Sequence, residues 1–160
     1  MDDRLAEAIG LREAGRLEES RALLLELVAA HGDDPRVHYQ TAWTHDRLGL
    51  EREAVPYYER ALALGLDGDE LTGALLGLGS TYRALGDYQH AVATLRRAAE
   101  SFPERRVMEV FLAMALYNAG QHREAMERLL RALVETSSDE SVRRYQRAIA
   151  FYADKLDQTW

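Results

Sequence analysis

The chain has 160 residues, of which 47% are hydrophobic and 29% charged, and a net charge of −7. This length suits one domain with a buried core, and the acidic balance argues against nucleic acid, whose binding depends on neutralising phosphates. The absence of cysteine removes disulfides, thiolate zinc sites and cysteine nucleophiles together and fits a reducing cytoplasm.

The longest apolar runs are short pieces such as Leu23-Leu24-Leu25, far below the roughly 18 residues of a membrane span. The start, Met1-Asp2-Asp3-Arg4, lacks the basic-then-apolar order of a signal peptide. A cytoplasmic protein with neither a nucleic-acid nor a membrane partner is expected.

In chain order, apolar periodicity predicts nine helices. The first pair spans 3–14 and 17–31, separated by Gly15. The second spans 35–48 and 51–64 around Gly49. Pro56 lies about one turn into its second helix, where a missing N–H costs little, so a slight bend is expected rather than a break. The third pair spans 69–85 and 88–101 around Gly86, after a longer turn, Gly65-Leu66-Asp67-Gly68-Asp69. The fourth spans 104–119 and 122–136 around Gly120. A ninth helix is predicted over 138–157. Ser137 and Glu140 have capping-box spacing, and Val142, Tyr145, Ile149, Tyr152 and Leu156 form one apolar stripe.

The four glycines lie in similar contexts, EAGRLEES, RLGLEREA, ALGDYQHA and NAGQHREA, spaced 34, 37 and 34 residues apart. Seven residues before each stands Ala8, Ala42, Gly79 or Ala113. Five after stands Ser20, Ala54, Ala91 or Ala125, and twelve after, Leu27, Ala61, Ala98 or Ala132. Small residues recur where two helices cross closely. Large ones recur nine after (Leu24, Tyr58, Leu95, Leu129) and four before (Leu11, His45, Tyr82, Leu116).

This pattern resembles the tetratricopeptide repeat family over about residues 2–136, and the whole is similar to small stand-alone bacterial proteins of that family. The third repeat, LLGLGSTYRALGDYQHAVATLRRAAESFP, matches best, and the first is degenerate at Ser20 and Leu27. The resemblance implies one all-α domain over 1–160, a right-handed superhelical solenoid of four repeats at about 2–34, 35–68, 69–103 and 104–137. A capping helix follows at about 138–157 and covers the apolar face of the fourth repeat. The alternative role for that helix, which leads to Trp160, is docking onto a second copy.

The resemblance also places the first helix of each repeat on the concave face. There the second repeat presents Tyr39, Gln40, Trp43, Asp46 and Arg47. The third presents Leu76, Gly77, Ser80, Arg83 and Ala84, and the fourth Val110, Phe111, Met114, Tyr117 and Asn118. The first presents Leu5, Ala6, Ile9, Arg12 and Glu13. Leu5, Ile9, Leu76 and Val110 are expected to pack against the next helix. The aromatic and Met positions point to an apolar groove. Tyr39, Gln40, Trp43, Asp46, Arg47, Leu76, Ser80, Arg83, Phe111, Met114, Tyr117 and Asn118 are the candidate partner-binding residues. An adaptor holding a peptide or helix is the first reading. A self-associating structural protein, dimeric through the groove or the ninth helix, is the second. The carboxylate clamp of some family members uses lysine, arginine and asparagine; the matching places here are Leu5, Ile9, Gln40, Gly73 and Gly77, none of them basic, so this mode is not expected.

No catalytic site, metal site or cofactor is expected. His31, His38 and His45 are seven residues apart, about 10.5 Å along a helix, too far to share a metal. His45 occupies a packing position, and His90 and His122 stand alone. Gly77-Leu78-Gly79-Ser80 lacks the Gly-Lys-Ser/Thr of a phosphate loop. Asp33-Asp34 and Asp67/Asp69 lie in turns, where aspartate caps helices. Arg143, Arg144 and Arg147 share their helix with Asp139 and Glu140 and read as a solvated face.

Overall fold

A computed structural model describes residues 1–159, leaving Trp160, the end of the helix proposed to dock, outside the described residues. Among them are nine helices and no strand: α1 (Asp2–Glu13), α2 (Leu17–Ala30), α3 (Pro35–Arg47), α4 (Glu51–Leu64), α5 (Gly68–Ala84), α6 (Tyr88–Ser101), α7 (Val107–Asn118), α8 (His122–Thr136) and α9 (Glu140–Tyr152). They divide into two compact units, Met1–Gly86 and Asp87–Trp160, so that the third repeat contributes α5 to one and α6 to the other.

The turn within each repeat follows from its glycine. Gly15, Gly49, Gly86 and Gly120 have φ of 79°, 73°, 81° and 79°, which only a residue without Cβ adopts freely. In the first turn the Arg16 N–H donates to Leu11 O at 2.9 Å; in the fourth the Gln121 N–H donates to Leu116 O at 2.8 Å. These bonds satisfy carbonyls that the ending helix leaves open. Elsewhere side chains set the starts. Asp34 accepts the Arg36 N–H at 2.8 Å, with Pro35 pre-set for the first helical position. The Asp67 carboxylate makes no such bond, and α5 begins on Gly68. α4 runs unbroken through Pro56.

In the first unit one core cluster joins Leu5 and Ala8 of α1, Leu24 and Leu27 of α2, and Val37 of α3. A second joins Tyr39 and Ala42 of α3, Ala54, Tyr58 and Ala61 of α4, and Ala74 and Leu78 of α5. Each large residue of a second helix is thus enclosed by its own first helix and by the next one. In the second unit Leu95, Ala98, Met108, Leu112, Ala113 and Leu116 are buried.

Three boundaries differ from expectation. α7 starts at Val107, not 104, because Pro103 follows the end of α6 and two turn bonds, Arg105 N–H to Phe102 O and Met108 N–H to Arg105 O, occupy the interval. α9 ends at Tyr152, not 157; the Lys155 ammonium caps the Phe151 carbonyl at 3.0 Å, and Leu156 falls off the helical stripe. The cap of α9 is Asp139, which accepts the Ser141 N–H at 2.7 Å, while Ser137 only accepts the Asp139 N–H at 3.2 Å. A shorter carboxylate one residue before the helix reaches its second N–H directly, so the Ser137/Glu140 box does not form.

Gly73 and Gly77 of α5 show how tightly the first unit closes. A Cβ on Gly73 runs into the Tyr39 hydroxyl, and one on Gly77 into the hydroxyl and ring of Tyr58. Tyr58 has no room to yield: it is buried and its hydroxyl donates to Asp46 at 2.8 Å. Gly77→Ala is therefore expected to destabilise by about 1–3 kcal/mol despite alanine's higher helix propensity. Gly10→Ala, whose new Cβ meets nothing within 4 Å, is expected to stabilise by roughly 0.5–1 kcal/mol. Urea unfolding of the two variants checks the opposite signs.

Candidate functional site

On the first helices of the first unit, α1, α3 and α5, the expected groove residues fall into two layers. Trp43 is 42% exposed and Arg47 is exposed, whereas Tyr39 and Gln40 are buried. Tyr39 therefore cannot face a partner as expected. Its ring sits 5.9 Å from Trp43 and 6.3 Å from Tyr58, joining the indole to the core. Leu76, Ser80 and Arg83 of α5 are half-buried.

Beneath the indole lies a group that the sequence reading left out of the site. Arg12 is 1% exposed, and its guanidinium carbon stands 4.0 Å over the Trp43 ring. It donates at 3.4 Å to Gln40 O and 3.5 Å to the Thr44 hydroxyl, long bonds both. Among the described residues it has no salt-bridged carboxylate. Burial lowers its pKa, though an arginine remains charged. The exposed Arg47 donates to the Arg12 carbonyl at 3.3 Å and adds a second positive charge. The resemblance put both Arg12 and Trp43 on the concave face, but spacing alone did not mark them as neighbours, since they lie on different helices.

Asp46, also expected in the groove, turns toward the core. It accepts from the Tyr58 hydroxyl, and the Thr81 hydroxyl lies 2.8 Å from its Oδ2, so one carboxylate ties together α3, α4 and α5. Gln40 Oε1 is buried without a donor among the described residues.

In the second unit Phe111 and Met114 of α7 are half-buried; Asn118 is exposed and Tyr117 is 62% exposed. The Tyr117 ring lies 4.6 Å from His122. Elsewhere in this unit a cleft of about 430 Å³ is walled by paired charges of α7 and α8. Arg128 bridges Glu109 at 2.7 Å and Glu124 at 2.9 Å, and Arg96 of α6 reaches Glu124 at 2.8 Å. Every one of these charges has its opposite, so the network staples three helices together. The Glu124/Arg128 spacing was visible in the sequence; the partners on other helices were not.

His45 takes a structural place. Its ring lies 5.1 Å from Tyr57, its Nδ1 donating to Thr41 O at 2.8 Å and its Nε2 accepting from Arg21 at 3.4 Å. Among the described residues no group of three or more His, Asp or Glu is placed to hold a metal. No helix is long and apolar enough to cross a membrane.

The family profile described as Tetratrico peptide repeat matches residues 35–156. The chain belongs to the tetratricopeptide repeat family. No curated protein matches its sequence. Among solved structures, tetratricopeptide chains align along nearly the whole length. MamA from Desulfovibrio magneticus RS-1 has a TM-score of 0.77 at 17% identity, with 98% of this chain and 86% of that one covered. YrrB, a TPR protein with an unusual peptide-binding site, gives 0.74 at 21%, covering 97% and 77%. PilF of Pseudomonas aeruginosa gives 0.72 at 18%, covering 94% and 67%. At these identities the likeness concerns the fold, an all-α solenoid of helical repeats. Tetratricopeptide repeats build scaffolds for protein–protein interaction and are generally not catalytic.

Burial raises the Asp46 pKa above the ordinary carboxylate value, with the Tyr58 and Thr81 hydrogen bonds offsetting part of the effect. A carboxyl whose folded pKa is raised holds its proton more tightly when folded. Stability therefore falls as pH rises from the unfolded value through the folded one. Asp46→Asn keeps an acceptor for the two hydroxyls but has nothing to titrate. Its melting temperature relative to the native chain is expected to be lower at pH 3 than at pH 7, and a pH series of paired thermal melts measures the difference.

Proposed function

We propose that this chain is a binding scaffold whose first-helix faces hold a peptide or helix, with Trp43 as the centre of the contact in the first unit. The observation that carries this reading is the exposed indole backed by a buried guanidinium that has no carboxylate partner among the described residues. Trp is enriched where binding energy concentrates. The stacked Tyr39 and Arg12 hold the ring in one orientation, so little rotamer entropy remains to be lost on binding. Arg12 and Arg47 bring two positive charges to the indole. The ligand that fits is a segment with an apolar anchor flanked by Asp or Glu. This differs from a carboxylate clamp, whose positions here hold no base. Leu76, Ser80 and Arg83 adjoin this site in the proposal, and Phe111, Met114, Tyr117 and Asn118 form a separate contact surface on the second unit. The peptide-binding character of YrrB supports the assignment of a peptide partner.

Peptides selected from a random library against the purified chain test the reading. They are expected to combine an aromatic or aliphatic anchor with acidic flanks and to bind more weakly as salt rises. Trp43→Ala and Trp43→Leu are each expected to weaken binding about tenfold or more, the loss of at least ~1.4 kcal/mol. Arg47→Gln is expected to weaken it less and to flatten the salt dependence. Undiminished binding by folded Trp43 variants sinks the proposal.

A further inference from the structure

In the first three repeats the large residue nine places after the turn glycine is sealed: Leu24 is 0% exposed, Tyr58 1% and Leu95 0%. Its counterpart in the fourth, Leu129, is 36% exposed. The neighbouring positions behave alike. Val28, Leu62 and Ala99 are half-buried or buried, while Leu133 is exposed; Val55 and Val92 are half-buried, while Met126 is exposed. The earlier repeats are closed by the next first helix. α9 packs on α8 but does not close this row, and no residue of α9 is fully buried. It carries its own open row, with Tyr145 and Tyr152 exposed. The expectation that α9 simply caps the fourth repeat is thus met only in part.

We infer that this α8–α9 surface pairs with the same surface of a second copy of the chain. Two observations select that occupant. First, the surface is self-complementary in kind: among the described residues no helix covers the open row of α8, and α9 is a helix with an uncovered apolar row. A two-fold axis sets each α9 against the other copy's α8 and fills both vacancies. Second, the charge is distributed to allow it. Residues 122–160 contain seven basic and seven acidic side chains, so the whole net charge of −7 lies in residues 1–121. The net charge that makes two such chains repel lies outside this neutral segment, so contact through it costs least. The exposed parts of Met126, Leu129, Leu133, Tyr145 and Tyr152 amount to on the order of 500 Å² per copy, about 1,000 Å² for the pair, the threshold of a specific interface.

Sedimentation equilibrium of the full chain, from low to high micromolar concentration, tests this independently of the Trp43 site. A monomer–dimer equilibrium is expected. Leu133→Glu and Tyr145→Glu, at positions 44% and 61% exposed, are each expected to weaken it about tenfold or more, with unchanged circular dichroism. Trp43→Ala is expected to leave it intact. A chain that stays monomeric at high micromolar concentration overturns the inference, as it would if a foreign protein or further polypeptide fills the surface. So does a dimer that survives both Glu substitutions, or one that Trp43→Ala dissolves.

Discussion

Two helices joined by a short turn can be stacked repeatedly only if their axes approach to within about 8–10 Å at each crossing. Everything else in this chain depends on that approach. Ala8, Ala42, Gly79 and Ala113 on the first helices, and Ser20, Ala54, Ala91 and Ala125 on the second, are all buried. The one polar member of this set is accommodated locally: the Ser20 hydroxyl donates to the Ala8 carbonyl at 2.7 Å, turning a departure from the repeat pattern into a helix–helix bond. Close approach at the small residues then forces the large ones between them into sealed pockets. Tyr58 shows the consequence. Its ring fills the space between α3 and α5 so completely that α5 must present glycine opposite it.

Since the crossings take up the small positions and the large ones between them, the remaining face of each first helix is released from packing duty. The first unit uses that freedom unevenly. Tyr39 and Asp46 are drawn inward, one into the core and one into a carboxylate knot linking three helices. Trp43 and Arg47 stay at the surface. Arg12 is the unusual member. A buried guanidinium is expensive unless its charge is matched, and here it meets the π face of an indole and two long hydrogen bonds in place of a carboxylate. That arrangement sets a guanidinium against one face of the Trp43 ring.

The second unit solves the same packing problem with more charge and less aromatic mass. Arg96, Glu124, Arg128 and Glu109 link α6, α7 and α8 at 2.7–2.9 Å. Its other feature is what remains unsealed. The row on α8 that a further first helix would cover is left open beside an α9 that presents apolar side chains of its own, in the part of the chain where acid and base cancel.

The sequence by itself determined the repeat. Small, large and turn residues recur in phase, and each acts locally or across one crossing, so their periodicity survives in one dimension. The nine helices of the described residues, the left-handed glycines and the structural role of His45 were legible for that reason. The helix ends were less so, because Asp139 and Lys155 competed for caps that spacing alone assigned to Ser137 and Glu140 or left open. Only the tertiary structure decided which side of each first helix meets solvent. Whether Tyr39 or Trp43 faces outward depends on a rotation set by Tyr58 and Gly73, residues on other helices. Arg12 meets Trp43, 31 residues along the chain, because α1 packs against α3. Likewise, Leu129 repeats the pattern of Leu24 and Leu95 and differs from them only in what the fold lays over it.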